Sequence, residues 1–124
     1  MGQGLFESDE AYRMRMLREQ GEALGVNQGI LESDANYEAR VTKAMGEDLG
    51  TTQGILESDV SYKQRVNEAI GSSLGINRGL FESETTYNIR VAREYGSRCG
   101  ITQGFFEPDE DYVKRVTKET GISF

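Results

Sequence analysis

The chain has 124 residues, and 14 Lys and Arg stand against 21 Asp and Glu, which gives a formal net charge of −7. An acidic surface repels a phosphate backbone and argues against nucleic acid as a partner, and no apolar run has the length of a membrane span. The lack of histidine removes the commonest general base and the commonest transition-metal ligand.

The sequence repeats itself every 25 residues. Glu7-Ser8-Asp9 recurs as Glu32-Ser33-Asp34 and Glu57-Ser58-Asp59, and in altered form as Glu82-Ser83-Glu84 and Glu107-Pro108-Asp109. A fixed period of this size is the signature of a repeat protein. We therefore predict a mainly α fold with one array of five helix-plus-extended-loop repeats, over 1–25, 26–50, 51–75, 76–100 and a truncated 101–124.

Each repeat opens with a glycine, two apolar residues and then the Glu-Ser-Asp segment. A Ser or Asp oxygen can accept an unpaired N–H of the first helical turn, and acidic residues suit the positive end of the helix dipole. Pro108 fits the same interpretation because proline is tolerated in the first turn. The segment therefore predicts a helix start, with the cap at either Ser or Asp.

Apolar residues then follow at steps of four, as in Tyr37, Val41, Met45 and Leu49, and form one helical stripe. A glycine comes next, as expected for a left-handed C-terminal cap. We predict helices near 8–24, 33–49, 58–74 and 83–99, and a shorter one from about 109. The side chains expected to be most buried are those of Tyr37, Val41, Leu49, Tyr62, Val66, Ile70 and Leu74.

A second glycine in every repeat, such as Gly21, lies four residues before the cap glycine. Glycine inside a helix costs about 1 kcal/mol relative to alanine. Either the helix stops near residue 20 or it continues and the glycine lets another backbone approach. The same alternatives apply to Gly46, Gly71 and Gly96.

The linker between successive helices is long enough for more than one arrangement of the helices. A helix of about 16 residues is roughly 24 Å long, and about nine extended residues span roughly 30 Å. Successive helices can therefore be parallel in a solenoid, antiparallel, or separate beads of an extended array that dock on a partner.

No motif in the sequence predicts a metal, a cofactor or an enzymatic reaction. Alternating Asp ligands of a calcium loop, a phosphate-binding loop and a nucleophile elbow are all missing. The paired acids at the helix starts are interpreted as caps and solvated charge. Cys99 stands where three other repeats have leucine and is interpreted as a small core residue.

An arginine three residues after the tyrosine is present in all five repeats, while a neighbouring position taken as exposed varies as Arg13, Glu38, Lys63, Asn88 and Val113. We expect each arginine to bridge to an acid at a helix start, in an adjacent repeat or in a partner protein. The predicted contact residues are Tyr12, Arg15, Tyr37, Arg40, Tyr62, Arg65, Tyr87, Arg90, Tyr112, Arg115, Glu32, Glu57 and Glu82.

The segment from Glu32 to Val41, which reads Glu-Ser-Asp-x-x-Tyr-x-x-Arg-Val, resembles a short segment of tail and baseplate proteins of tailed bacteriophages. The resemblance implies a structural virion component, and we expect its partners to be other virion subunits or itself. The acidic charge and the lack of a long apolar run predict no nucleic-acid partner and no membrane. The alternative is a cytoplasmic adaptor or scaffold with five equivalent binding repeats. In both cases the expected role is structural and not enzymatic.

Overall fold

The computed structural model describes residues 2–124, so Met1, the first residue of the first predicted repeat, lies outside the described residues. It contains five helices: α1 (Asp9–Ala23), α2 (Asp34–Asp48), α3 (Asp59–Ser73), α4 (Glu84–Arg98) and α5 (Asp109–Thr120). The described residues include no strand. The prediction of a mainly α array with a helix in every repeat is confirmed.

The serine of the Glu-Ser-Asp segment caps each of the first four helices. Ser33 has an extended backbone, and its side chain accepts a hydrogen bond from the backbone N–H of Asn36. Ser8, Ser58 and Ser83 cap in the same way. In α5 the cap position is Pro108, one residue before the first turn, and it makes no side-chain cap bond.

The glycine after each of the first four helices ends the helix in the left-handed conformation. Gly25 has φ +79°, and its N–H donates to the carbonyl of Glu22 while the N–H of Val26 donates to the carbonyl of Gly21. These two bonds form the Schellman motif, which satisfies carbonyls that would otherwise lack a partner. The predicted C-terminal cap is therefore present.

Each of the first four helices continues through its inner glycine. A Cβ on Gly21 would lie 2.9 Å from Cγ2 of Val41 and would also collide with the hydroxyl of Tyr37. The same side chains of the next repeat crowd Gly71 and Gly96. The glycine therefore costs helix propensity but allows the next helix to pack closely. Of the two alternatives, the helix that continues through the glycine is the one observed, and the helix does not stop near residue 20.

Neighbouring helices run in the same direction. Near their N-terminal ends, Arg13 of α1 bonds Glu38 of α2 at 3.0 Å. At the C-terminal ends of the neighbouring pair α3 and α4, the guanidinium of Arg98 donates to the carbonyl of Leu74. Equivalent positions of antiparallel helices meet only where the helices cross, so contacts at both ends require a parallel arrangement.

The array closes on itself. Contacts run from α1 to α2, α3, α4 and α5 in turn, and α5 also packs against α1. At this closing contact Nζ of Lys118 lies 3.2 Å from Oε1 of Gln3 and 3.7 Å from Oδ1 of Asp9. At the α4–α5 contact the guanidinium of Arg93 bonds the equivalent residues, Gln103 and Asp109. The α5–α1 contact thus repeats the α4–α5 contact, and the five helices form a ring.

The core lies between the helices of this ring. Five residues predicted to be most buried are so, namely Tyr37, Val41, Tyr62, Val66 and Ile70. Leu49 is 38% exposed and Leu74 is only partly buried, since both are cap residues at the C-terminal end of the ring.

Cys99 is also exposed, so its interpretation as a core residue is wrong. It occupies the C-cap of α4, the same place on the ring as Leu49 in α2. The segment after α5 adds to the core: Ile122 is 3% exposed, and the ring of Phe124 lies 5.6 Å from that of Tyr95.

Candidate protein-binding surface

Every repeat presents two large apolar side chains to solvent in the turn before its helix. Their exposed fractions lie between 90% and 102%, as high as in an isolated chain. We call these five pairs the apolar tips. They are Leu5-Phe6, Ile30-Leu31, Ile55-Leu56, Leu80-Phe81 and Phe105-Phe106.

Each tip is the centre of a hydrogen-bonded turn. In the second repeat the N–H of Glu32 donates to the carbonyl of Gly29 at 3.1 Å, and the carboxylate of Glu32 accepts from the N–H of Gly29 at 2.9 Å. The amide of Gln28 donates to the carbonyl of Glu32 and to Asp34, both at 3.0 Å. The backbone that carries Ile30 and Leu31 is therefore fixed from both sides.

The recurring arginine completes this support. Arg40 donates to the carboxylate of Glu32 at 2.6 Å and to the carbonyl of Asn27 at 3.1 Å. The equivalent pairs are Arg15–Glu7, Arg65–Glu57, Arg90–Glu82 and Arg115–Glu107, at 2.6 to 3.0 Å. The acid is the predicted helix-start glutamate, but it belongs to the same repeat and not to an adjacent one.

This difference has a geometric cause. The linker runs back along the outside of the following helix, so Glu32 lies beside Arg40 eight residues later. The preceding helix α1 is contacted instead by Tyr37 and Val41, which pack against Gly21. The arginine thus holds a turn in place and does not join two repeats.

The support is strongly electrostatic. Hydrogen bonds from Arg15 and from the backbone of Gly4 lower the pKa of Glu7 from its ordinary value of 4.5 to about 2. In the same way the pKa of Glu107 is lowered by Arg115 and by the backbone of Gly104. A lowered pKa favours the ionised carboxylate, which accepts both hydrogen bonds.

The predicted tyrosines do join repeats. The hydroxyl of Tyr62 packs against Gly46 and lies 3.3 Å from the carbonyl of Lys43, both in α2 of the preceding repeat. It also donates to the carbonyl of Thr51, in its own repeat, at 2.8 Å. Tyr37, Tyr87 and Tyr112 make the equivalent bond to Val26, Ile76 and Ile101. Tyr12 instead donates to the carboxylate of Glu119 at 2.7 Å, across the closing contact of the ring.

The variable position beside the arginine is not exposed as expected. The side chain of Arg13 is only 15% exposed and bonds Glu10 and Glu38. Lys63 is partly buried, and burial lowers its pKa to about 8. These residues line the inside of the ring, so their variation reflects packing against different neighbours and not a free surface.

An open cavity of about 810 Å³ lies beside this position, lined by residues that include Glu38, Lys63 and Asn67. Asn67 is buried, and its Oδ1 has no hydrogen-bond partner among the described residues. The described residues hold no group of His, Cys, Asp and Glu side chains arranged to bind a metal ion. None of the five helices has the length and apolar character that a membrane crossing requires.

The apolar tips were not among the residues that the sequence predicted as contacts. A signal was available, because both positions are apolar in all five repeats and yet lie outside the four-step stripe of the helix. Residues that are apolar in every copy but do not belong to the core face indicate a second apolar surface. Fixed turns with exposed apolar side chains are suited to insertion into pockets of another protein.

Comparison of the chain with protein-family models, with curated proteins and with solved structures found no match.

Proposed function

We propose that this protein is a non-enzymatic assembly protein that binds repeated copies of a protein partner. The observation that carries the proposal is the pair of fully exposed apolar side chains in each of five equivalent turns. Burying one such side chain contributes about 1.5 to 3 kcal/mol. Because hydrogen bonds already fix the turns, little conformational entropy is lost on docking.

Five tips on one rigid ring make the binding multivalent. Once one tip is bound, the others meet their pockets at a high effective concentration, provided that the partner repeats at a matching spacing. A symmetric assembly of identical subunits offers such a spacing. The proposal therefore assigns the ring to copies of a symmetric partner, where it adds contacts between subunits.

The resemblance of the Glu32–Val41 segment to tail and baseplate proteins supports a more specific form of the proposal. In this form the protein is a small virion component of a tailed bacteriophage, and its partners are other virion subunits. The exposed tips and their support agree with a component whose task is contact and not chemistry.

One observation favours a cellular multivalent adaptor as the second candidate. The tips are not identical, since Phe105-Phe106 carries two aromatic rings whereas Ile30-Leu31 and Ile55-Leu56 carry none. Tips of different shape suit partners with different pockets. An adaptor of this kind binds unlike proteins, and a virion component binds copies of one protein.

The test is co-expression with the proteins encoded beside it, followed by size-exclusion chromatography and native mass spectrometry. We expect a complex with several copies of one partner. The variant replaces the first residue of every tip by serine, at Leu5, Ile30, Ile55, Leu80 and Phe105, and should lose the complex while circular dichroism stays unchanged. A complex with one copy each of different proteins supports the adaptor, and an unaffected complex contradicts both forms.

A further inference from the structure

The direction of the helices places all five tips at one end of the ring. Each tip ends only three residues before its helix, which limits the separation to roughly 10 Å. Because neighbouring helices are parallel, their N-terminal ends share one end of the ring. We call this end, with its tips and first helical turns, the N-terminal face.

The N-terminal face is acidic as well as apolar. The first turns contain eight acidic residues, and four of these, Asp34, Asp59, Glu84 and Asp111, have no Lys or Arg within 4 Å among residues 2–124. The recurring arginines do not offset this charge, because each is already paired with the glutamate of its own turn. Apolar side chains and carboxylates without a Lys or Arg partner therefore lie on the same face.

We infer that the N-terminal face docks end-on against a basic protein surface, with each apolar tip in a pocket and Lys or Arg of the partner beside the first-turn carboxylates. This inference rests on the proposed function and adds the docking face and the chemistry of the partner. Charge complementarity decides the occupant. A second copy would bring two sets of free carboxylates together, and an anionic membrane or a nucleic acid would be repelled.

The apolar tips are of two kinds. Repeats two and three carry only branched aliphatic side chains, whereas repeats one, four and five each carry at least one phenylalanine. A pocket that encloses Phe106 is longer and flatter than one that encloses Leu31. The pockets of identical partner subunits would therefore have to accept a phenylalanine from α4, α5 and α1, which are neighbours in the ring, and only aliphatic side chains from α2 and α3.

A selection from random peptides displayed on phage tests the chemistry without knowledge of the partner. The full chain is the bait, and the variant with serine in all five tips is the matched control. We expect enriched peptides that combine apolar residues with an excess of Lys and Arg. Their affinity for the variant should fall about tenfold or more, as expected for loss of a buried apolar side chain.

The charge is tested by a pair of equivalent substitutions at opposite ends of the ring. Glu84→Gln removes a free carboxylate of the N-terminal face, and Glu47→Gln removes an exposed one near the C-terminal end of α2. We expect the first to weaken binding of the selected peptides and the second to leave it unchanged. Raised salt should weaken binding to the native chain and have less effect on Glu84→Gln.

Three results would overturn the inference. Enriched peptides without an excess of basic residues would show that the partner is not basic, even if the complex with a symmetric partner forms. Equal binding to the native chain and the serine variant would place the docking site elsewhere. Tip-dependent dimers in sedimentation velocity would assign the face to a second copy.

Discussion

At the scale of single residues, the recurring arginine acts on its own turn. The side chain of Arg65 is 48% exposed and bonds Glu57 and the carbonyl of Thr52. Ion pairs with this exposure contribute about 0.2 to 1 kcal/mol. Arg65→Ala should therefore lower the free energy of unfolding by about 1 kcal/mol or less, and Arg65→Lys by part of that, because an ammonium cannot reproduce the guanidinium geometry.

Denaturant unfolding measures this difference, and Lys43→Ala is the control because Lys43 is exposed and its side chain has no hydrogen bond or ion pair among the described residues. Lys63→Ala is unsuitable, since Lys63 lies inside the ring. If Arg65→Ala and Lys43→Ala have equal stability, the arginine is ordinary surface charge.

The inner glycine provides a sharper test of packing. A Cβ on Gly96 would lie 2.7 Å from Cγ2 of Val116, within the contact between α4 and α5. Alanine favours a helix by about 1 kcal/mol, yet overpacking costs about 1 to 3 kcal/mol. Gly96→Ala should thus lower the melting temperature, while Ser97→Ala, on the exposed side of the same helix, should not.

The sequence predicted the type of the arginine's partner but not its location. The Glu-Ser-Asp segment and the arginine recur together, so a bridge to a helix-start acid follows from the pattern. A period of 25 makes Glu32 and Glu57 equivalent candidates for Arg40, and only the path of the linker distinguishes them. The interior location of Lys63 was not predicted either, because a closed ring buries a helix face that an open array exposes.

At the scale of one turn and its helix, stability should depend on pH through the tip support. The pKa of Glu7 is about 2 in the folded chain and 4.5 ordinarily. A lowered pKa means that the ionised carboxylate stabilises the fold above pH 4.5 and that this contribution is lost as the pH falls towards about 2. The free energy of unfolding of the native chain should decline over that interval more steeply than that of Glu7→Gln. Parallel curves would contradict the role of Glu7.

One contact between repeats has its charges exchanged. Four repeats have a basic residue at the same helix position, and a glutamine stands at the corresponding position of the next linker: the basic residues are Arg18, Lys43, Arg93 and Lys118. The third repeat has the acidic Glu68 instead, and its carboxylate lies 3.3 Å from the guanidinium of Arg78. Glu68→Arg should therefore destabilise the ring by about 0.2 to 1 kcal/mol by repulsion. Adding Arg78→Gln should restore stability, as a double-mutant cycle would show. Additive effects would mean that the two side chains do not interact.

Helix bounds were predicted within about one residue, because the serine cap and the Schellman glycine are local signals. The exposure of Leu5 and Phe6 was not predicted, since whether an apolar turn is covered depends on elements distant in sequence. The linker, which leaves the tips outside, is bonded to the following helix by Tyr37 at the carbonyl of Val26 and by Arg40 at the carbonyl of Asn27.

At the scale of the whole molecule, the closing contact can be broken selectively. Gly121 has φ +79°, and a Cβ there would collide with the backbone of Leu17 in α1, whereas Gly100, at φ +83°, faces open space. Gly121→Ala and Gly100→Ala share the backbone penalty of about 1 kcal/mol. Only Gly121→Ala should also increase the radius of gyration in small-angle scattering. Equal dimensions of the two variants would contradict closure through Gly121.

Closure also fixes how many repeats the array can contain. An open solenoid gains or loses repeats freely, because each repeat contacts only its two neighbours. In a ring every repeat supplies one fifth of a full rotation, and the first helix must meet the last. A sixth repeat would have to change the rotation at every contact, and a four-repeat chain would leave a gap that a helix from another chain can fill. Copy number is here a property of the angle between helices, and duplication of a repeat, which lengthens a solenoid, would change the topology of this fold.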